Sequence, residues 1–288
     1  MRLFNNFRRK PKGEIVVHIL VSALFMAVAL SYLFMIVWMF FAGLSTHEEI
    51  VMNPFSFPEK LNWKNYIDVF SSFEINDNGF FKMLFNSIWF SVVGVLINQF
   101  VSMSFAYCCT KYKFPGSTLP KTIILIMLTL PIYGNSGAAY KINHDLGLLD
   151  SYWMVIGSAA GFNMFFLYYS AYFKNISSTY AEAAMLDGAN DFQIYFRIMI
   201  PVAKPMFGAL FLSSWLTNWN AYEGVMVSLP NLPTLPVGIY EFYIEMVYRG
   251  RLDILFAACV WVALPAIILF VAFNKLLTTN VTVGGIKG

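Results

Sequence analysis

The chain has 288 residues, 58% of them hydrophobic and only 12% charged, with a net charge of +3 and a mean hydropathy of +0.62. That composition excludes an ordinary soluble domain, and so weak a charge gives no footprint for nucleic acid. Three cysteines and three scattered histidines (His18, His47, His144) supply neither a disulfide framework nor a metal-ligand spacing, and no G-x-x-x-x-G-K-[ST] phosphate loop occurs.

Crossing about 30 Å of hydrocarbon takes roughly 20 apolar residues. Six runs are long enough: 15–44, 80–109, 122–140, 151–173, 207–229 and 254–277. The first exceeds the apolar region of a signal peptide and lacks a small-residue cleavage site, so it reads as a retained helix. With the amino terminus inside, Arg2, Arg8, Arg9, Lys10, Lys12, Lys111, Lys113, Lys121, Lys174, Arg197, Lys204, Lys275 and Lys287 fall on inner segments. Only Lys60, Lys64, Lys82, Lys141, Arg249 and Arg251 fall outside. Basic residues are retained on the cytoplasmic side during insertion. The predicted fold is therefore an all-α membrane protein of six transmembrane helices with both termini cytoplasmic.

The predicted divisions are a basic cytoplasmic tail over 1–14, a first transmembrane helix over 15–44, and an extracellular segment over 45–79. A transmembrane core over 80–277 follows, carrying a cytoplasmic loop at 177–205, and a cytoplasmic tail over 278–288 ends the chain. Segment 45–79 is too polar to span and too aromatic for a plain linker, so short interfacial helices or a folded cap are expected. The second span opens on Phe85-Asn86-Ser87 and ends at Ala106-Tyr107, before a basic inner turn in which Pro115 and Gly116 supply the bend. In the third, Pro131 precedes Gly134-Asn135-Ser136-Gly137, a break that survives in a membrane only where protein or a watered cavity satisfies the freed backbone. Asn135 thus marks either the wall of a path or a packing kink between helices. Leu146-Gly147-Leu148-Leu149-Asp150 makes a short outer turn.

Between the fourth and fifth spans lies a polar, helix-forming stretch at 179–205. Thr179 with Glu182 has the spacing of a capping box, and Asn190 with Gln193 repeats it for a second helix. Ala183 and Ala184 give the first helix a small-residue face, Gly188 is the first residue able to end it through a left-handed turn, and Pro201 is expected to stop the second. The fifth span holds Trp215, Asn218, Trp219, Asn220, Tyr222 and Glu223. A carboxylate at the centre of a span costs about 2.5 to 3.5 kcal/mol and normally faces a cavity or partner. Helical spacing sets Leu216, Asn220 and Glu223 on one stripe with the aromatic residues beside it, although aromatic residues near a span end also form interfacial belts.

The spacing Glu182-Ala183-Ala184, three residues, Gly188, nine residues, Ile198-Met199-Ile200-Pro201 resembles the EAA loop in the membrane subunits of bacterial ABC importers. Other segments resemble the sugar permeases of that group, the maltose-transporter type and its second permease above all. They are the Asn-Ser pair at 86–87, the Phe-Pro-Gly turn at 114–116, Leu-Gly-Leu at 146–148, Trp219-Asn220, Thr234-Leu235-Pro236, and the closing Gly284-Gly285-Ile286-Lys287-Gly288. Three departures are visible: Ile200 stands for the usual Leu, Ser177 for a Pro leading into the loop, and Ala221 for an acid after Asn220. Ser177 is expected to loosen the lead-in while leaving the Thr179 cap intact.

The resemblance implies a type I ABC importer permease of the bacterial cytoplasmic membrane. It would pair with a second, homologous permease and two copies of a cytoplasmic ATPase, and be fed by an extracellular solute-binding protein. Its cargo would be a carbohydrate, an oligosaccharide or sugar derivative, moved by alternating access. ATP and Mg would be bound by the ATPase and no cofactor by this chain, which would not itself be an enzyme. Thr179, Glu182, Ala183, Ala184, Asp187, Gly188, Ala189, Asn190 and Pro201 would dock on the ATPase, and Gly284, Gly285 and Lys287 would touch it. Trp215, Asn218, Trp219, Asn220, Tyr222, Glu223 and Asn135 would line the substrate path, amides and carboxylate bonding sugar hydroxyls and aromatic faces stacking on the ring. An ion-gradient-driven secondary transporter is the competing class, with Glu223 as its coupling group. An intramembrane enzyme finds no nucleophile-base or metal constellation in the spans.

Overall fold

The computed structural model of the chain describes residues 12–112, 114–130, 135–157, 159 and 163–280. In order, the helices are α1 (Lys12–Leu44), α2 (His47–Met52), α3 (Lys64–Ser72), α4 (Phe80–Ile88), α5 (Gly94–Lys111), α6 (Leu119–Thr129), α7 (Asn135–Asp145) and α8 (Met154–Gly157). They continue as α9 (Met164–Asn175), α10 (Thr179–Leu186), α11 (Asp191–Ile194), α12 (Ile200–Trp219), α13 (Glu223–Ser228), α14 (Leu235–Arg249) and α15 (Leu252–Asn280). One two-residue antiparallel pairing, β1 (Glu74–Ile75) with β2 (Asn78–Gly79), interrupts this all-helical order. Among the described residues four helices are long and apolar enough to cross a membrane: Gly13–Leu44, Phe80–Lys111, Asp191–Trp219 and Leu252–Phe273. The apolar runs at 122–140 and 151–173 are divided into shorter helices, the first where Leu130 turns extended ahead of Pro131.

The chain forms two compact units, one comprising Met1–Ser72 with Tyr243–Trp261, the other Phe73–Phe242 with Val262–Gly288. In the first, the short helices expected of segment 45–79 are α2 and α3. Thr46 and Glu49 cap α2 reciprocally, a T-x-x-E box that the sequence reading passed over beside its histidine. The buried Asn65 of α3 donates to the carbonyls of Gly43 (3.0 Å) and Ser45 (2.9 Å), and Tyr66 donates to Phe40 O (2.9 Å). Bonds of this kind satisfy the carbonyls that the end of α1 leaves open. Gly43 permits the approach, because a Cβ there would lie 2.9 Å from the Tyr66 hydroxyl and 3.0 Å from Ala257 N.

In the second unit, α4 and α5 form one rod through a π-helical segment, Trp89–Val93, and α11 and α12 form another through Tyr195–Met199. Pro201 therefore does not stop the helix that begins at Asp191; it occupies the first turn of α12, which runs on to Trp219. A π-turn shifts the acceptor carbonyls just ahead of the proline, so the missing N–H breaks no regular ladder. One core of this unit is aromatic, with Tyr107, Phe166, Tyr169, Phe173 and Tyr195 around Ala184, Met199 and Ala203. A chain of polar bonds joins the helices beside it: Tyr169 Oη donates to Gln99 Oε1 (2.6 Å) and Gln99 Nε2 to Ser214 Oγ (2.9 Å). Interhelical bonds of this kind, where water is absent, tie spans to one another.

Candidate functional site

Two places carry the predicted residues. The first is the loop that follows α9. There the Thr179–Glu182 capping box does not form: Thr179 already has its place inside α10, Ser178 is the N-cap, and its side chain caps nothing. Ser177 does that work instead, its Oγ accepting from Thr179 N (3.2 Å) and sharing a hydrogen bond with Thr179 Oγ1 (2.8 Å). Ser177 thus organises the lead-in rather than loosening it. Gly188 ends α10 as expected, at φ +85, with Gly188 N donating to Met185 O (3.0 Å) and Ala189 N to Ala184 O (2.9 Å). That is a complete Schellman motif, closed by contact of Ala184 and Ala189 with the aromatic core. Asn190 and Gln193 form their box in both directions, each bond 2.9 Å.

The consequence is a rigid, two-helix element with a divided surface. Ala184, Ile194 and Tyr195 are buried in the aromatic core. Glu182, Ala183, Asp187 and Asn190 are exposed, as are four large apolar side chains, Tyr180, Met185, Leu186 (90% exposed) and Phe192 (77%). Large exposed apolar side chains rimmed by polar ones mark an interaction surface. The sequence reading missed Leu186 and Phe192, since a motif gives no sign of which face the protein leaves open.

The second place is a cavity of about 760 Å³ inside the second unit, between α4–α5, α7, α8, the end of α12, α13 and the loop before α14. Asn218, Trp219 and Glu223 line it, joined by Asn143, Ser136, Tyr140 and Thr234. Trp215 is buried behind the wall, stacked on Trp219 with ring centroids 4.9 Å apart. Asn220 turns back to Leu216 O (2.7 Å) and Tyr222 stacks on Tyr240, so neither lines the cavity. The single stripe through Asn220 and Glu223 is corrected accordingly: α12 ends at Trp219, and Glu223 opens a separate helix, α13. The Asn135 side chain and the tail residues Gly284, Gly285 and Lys287 lie outside the described residues.

The cavity wall is held by bonds that explain the Asn86-Ser87 pair. Asn86 donates to Pro233 O (3.0 Å) and accepts from Tyr152 Oη (3.0 Å), while Ser87 Oγ accepts from Leu235 N (2.7 Å). Two small polar residues thereby fix the loop that ends at Thr234, whose own Oγ1 is buried and meets no partner among the described residues. Asp150 likewise accepts from Asn231 N (2.9 Å) and donates its own N–H to Ser228 O (2.9 Å). Phe90 and Ser91 bring the first π-helical segment to the cavity, consistent with the concentration of π-turns at functional sites.

No family model matches the chain. It is 29% identical over 286 residues to the arabinooligosaccharides transport system permease protein AraQ of Bacillus subtilis, covering 98% of this chain and 99% of that protein. It is 26% identical over 254 residues to the diacetylchitobiose uptake system permease protein NgcG of Streptomyces coelicolor, covering 86% and 82%. Among solved structures, a chain of a bacterial ABC transporter involved in the import of the acidic polysaccharide alginate superposes with a TM-score of 0.77 at 25% identity, covering 92% of this chain and 98% of that one.

Proposed function

We infer that this chain, which belongs with the permease subunits of bacterial ABC sugar importers, provides half of the membrane pathway of an ATP-driven carbohydrate importer. The observation that carries the reading is the end-to-end likeness to transport permeases together with one exposed, rigidly capped element, α10–Gly188–α11, seated on the helical core. In this reading the element is the handle that a cytoplasmic ATPase grips. Tyr180, Met185, Leu186 and Phe192 fill the partner's cleft, and Glu182, Asp187 and Asn190 rim the contact. Ala184 and Ile194 transmit the displacement to α5, α9 and α12, whose aromatic core they share. A close-packed core has few arrangements between its extremes, so a push at one end is delivered to the helices rather than absorbed.

The remaining parts follow the same reading. Six spans are reached when the shorter helices of 119–145 and 154–175 complete two crossings, with both ends in the cytoplasm, segment 45–79 outside, 80–277 as the core and 278–288 toward the ATPase. A second permease of similar fold closes the pathway, two ATPase subunits bind ATP and Mg, and a solute-binding protein delivers a carbohydrate, an oligosaccharide or sugar derivative, to the outer loops. The cavity between α7, α8 and α13 is this chain's share of the sugar path, Asn143 and Asn218 offering hydrogen bonds to hydroxyls and the buried Trp215–Trp219 pair backing the wall.

Reconstitution tests this directly. The four-subunit assembly in proteoliposomes is expected to accumulate sugar only with binding protein outside and ATP at the ATPase; uptake driven by a proton or sodium gradient alone would overturn the assignment. A photo-crosslinking residue at position 186 is expected to join the chain to the ATPase, and labelling only by lipid would remove the handle. Gly157→Ala checks the cavity: the new Cβ would lie 2.6 Å from Asn143 Oδ1, so the amide must swing away. Uptake affinity is expected to fall several-fold with little loss of thermal stability, since one hydrogen bond is worth about 1 kcal/mol.

A further inference from the structure

We propose that the cavity discriminates by charge, Glu223 acting as the residue that turns acidic saccharides away and admits neutral or amino-bearing ones. The proposal rests on the carbohydrate-path reading given above and names the cargo class that this chain's wall would accept.

Among the described residues lining the cavity, Glu223 is the sole carboxylate, and no Lys or Arg stands with it. It has no ion-pair partner among the described residues, so its charge is not cancelled locally. The other polar groups, Asn143, Asn218, Ser136 and Thr234, are neutral hydrogen-bonding groups suited to hydroxyls. Trp219, buried and stacked on Trp215, backs the wall beside them. Room is available where it is needed: a Cβ at Gly137 or at Gly224, both on the wall, would meet nothing within 4 Å. A built cavity of this size falls in the range of small-molecule sites.

A uronate passing within about 6 Å of Glu223 would face repulsion worth roughly 10- to 100-fold in affinity at an effective dielectric of about 20 to 40. A vicinal diol can instead donate two hydrogen bonds to the same carboxylate, and a protonated amine pairs with it outright. The similar solved transporter imports an acidic polysaccharide, but a shared fold does not fix the charge of the cargo. The charges on the wall do.

The test measures saccharide binding to the purified, full permease–ATPase assembly without the binding protein, so that delivery does not mask selection. Probes are a panel of neutral arabino-, chito- and galacto-oligosaccharides, oligogalacturonates of the same lengths, and partly deacetylated chito-oligosaccharides. The uronates are expected to bind at least about tenfold more weakly than the best neutral probe at low salt, with the gap narrowing as salt rises. In Glu223→Gln the gap is expected to close, and in Glu223→Lys to reverse. Uronates binding as tightly as neutral probes, an unchanged preference in Glu223→Gln, or a panel that does not bind at all would each overturn the proposal. Binding-protein-dependent ATP-driven uptake, measured separately in the wild-type assembly, shows whether the importer assignment stands whatever the outcome at Glu223.

Discussion

Gly188→Val is expected to lower ATP-driven uptake by at least about tenfold, and Gly188→Asn to retain most of it. The glycine sits at φ +85, where an L side chain costs roughly 1 to 2 kcal/mol and a β-branched one more, while asparagine visits the region readily. A Cβ at this position would meet nothing within 4 Å, so the loss cannot come from a clash inside the chain. It comes from the turn: relaxing φ breaks the bonds from Gly188 N and Ala189 N to Met185 O and Ala184 O, which hold α10 at a fixed angle to α11. In the proposed coupling, a handle with a slack joint would still bind the ATPase but deliver less of its movement. The measurement is uptake together with ATPase activity stimulated by the loaded binding protein, with monodispersity of the assembly as the control for folding. Hydrolysis without uptake is the expected signature in Gly188→Val. Normal uptake in that variant would take the turn out of the mechanism.

How far the sequence could be read depended on the range of the forces involved. Gly188 and the Asn190–Gln193 box were legible because each is settled within one helical turn. The Thr179 box had the same spacing and failed, because two residues earlier Ser177 captures the Thr179 amide and hydroxyl, so the helix is set one residue further back. Pro201 misled for a related reason: the π-helical segment before it is stabilised by burial of Tyr195 and Met199 in a core drawn from distant helices. In the cavity, Asn218 and Trp219 were legible as an amide and an aromatic residue within a predicted apolar span. Asn143, Gly157 and Thr234 were not, since only the folding of α7, α8 and the loop before α14 brings them to residue 219. Leu186 and Phe192 show the same limit from the other side: exposure is a property of the packed chain, and hydrophobic letters in a loop do not announce it.

Asn163→Leu is expected to cost about 2 to 3 kcal/mol. Asn163 precedes α9 in extended backbone, and its Oδ1 accepts from Phe165 N (2.9 Å) and Phe166 N (3.2 Å), an N-cap normally worth about 1 kcal/mol. Its Nδ2 donates to Asn98 Oδ1 (3.2 Å) and Ser102 Oγ (3.0 Å) on α5. Interhelical bonds in a membrane average about 0.6 kcal/mol, and leucine removes two of them, to Asn98 and to the buried Ser102. The same side chain thus starts one helix and fastens it to another, and its neighbours Gln99 and Ser214 extend the link to α12. Asn163→Asp separates the two roles, keeping the capping oxygen and losing the donor, and is expected to fall between wild type and leucine. The readout is the apparent melting temperature of the purified assembly at a fixed scan rate, because unfolding of a membrane complex is governed by a rate. An unchanged melting temperature in Asn163→Leu would mean that α5, α9 and α12 are held by their aromatic core alone. The polar chain between them would then have to be explained by its nearness to the second, smaller groove, about 190 Å³, that Asn98, Ser213, Ser214 and Asn218 share.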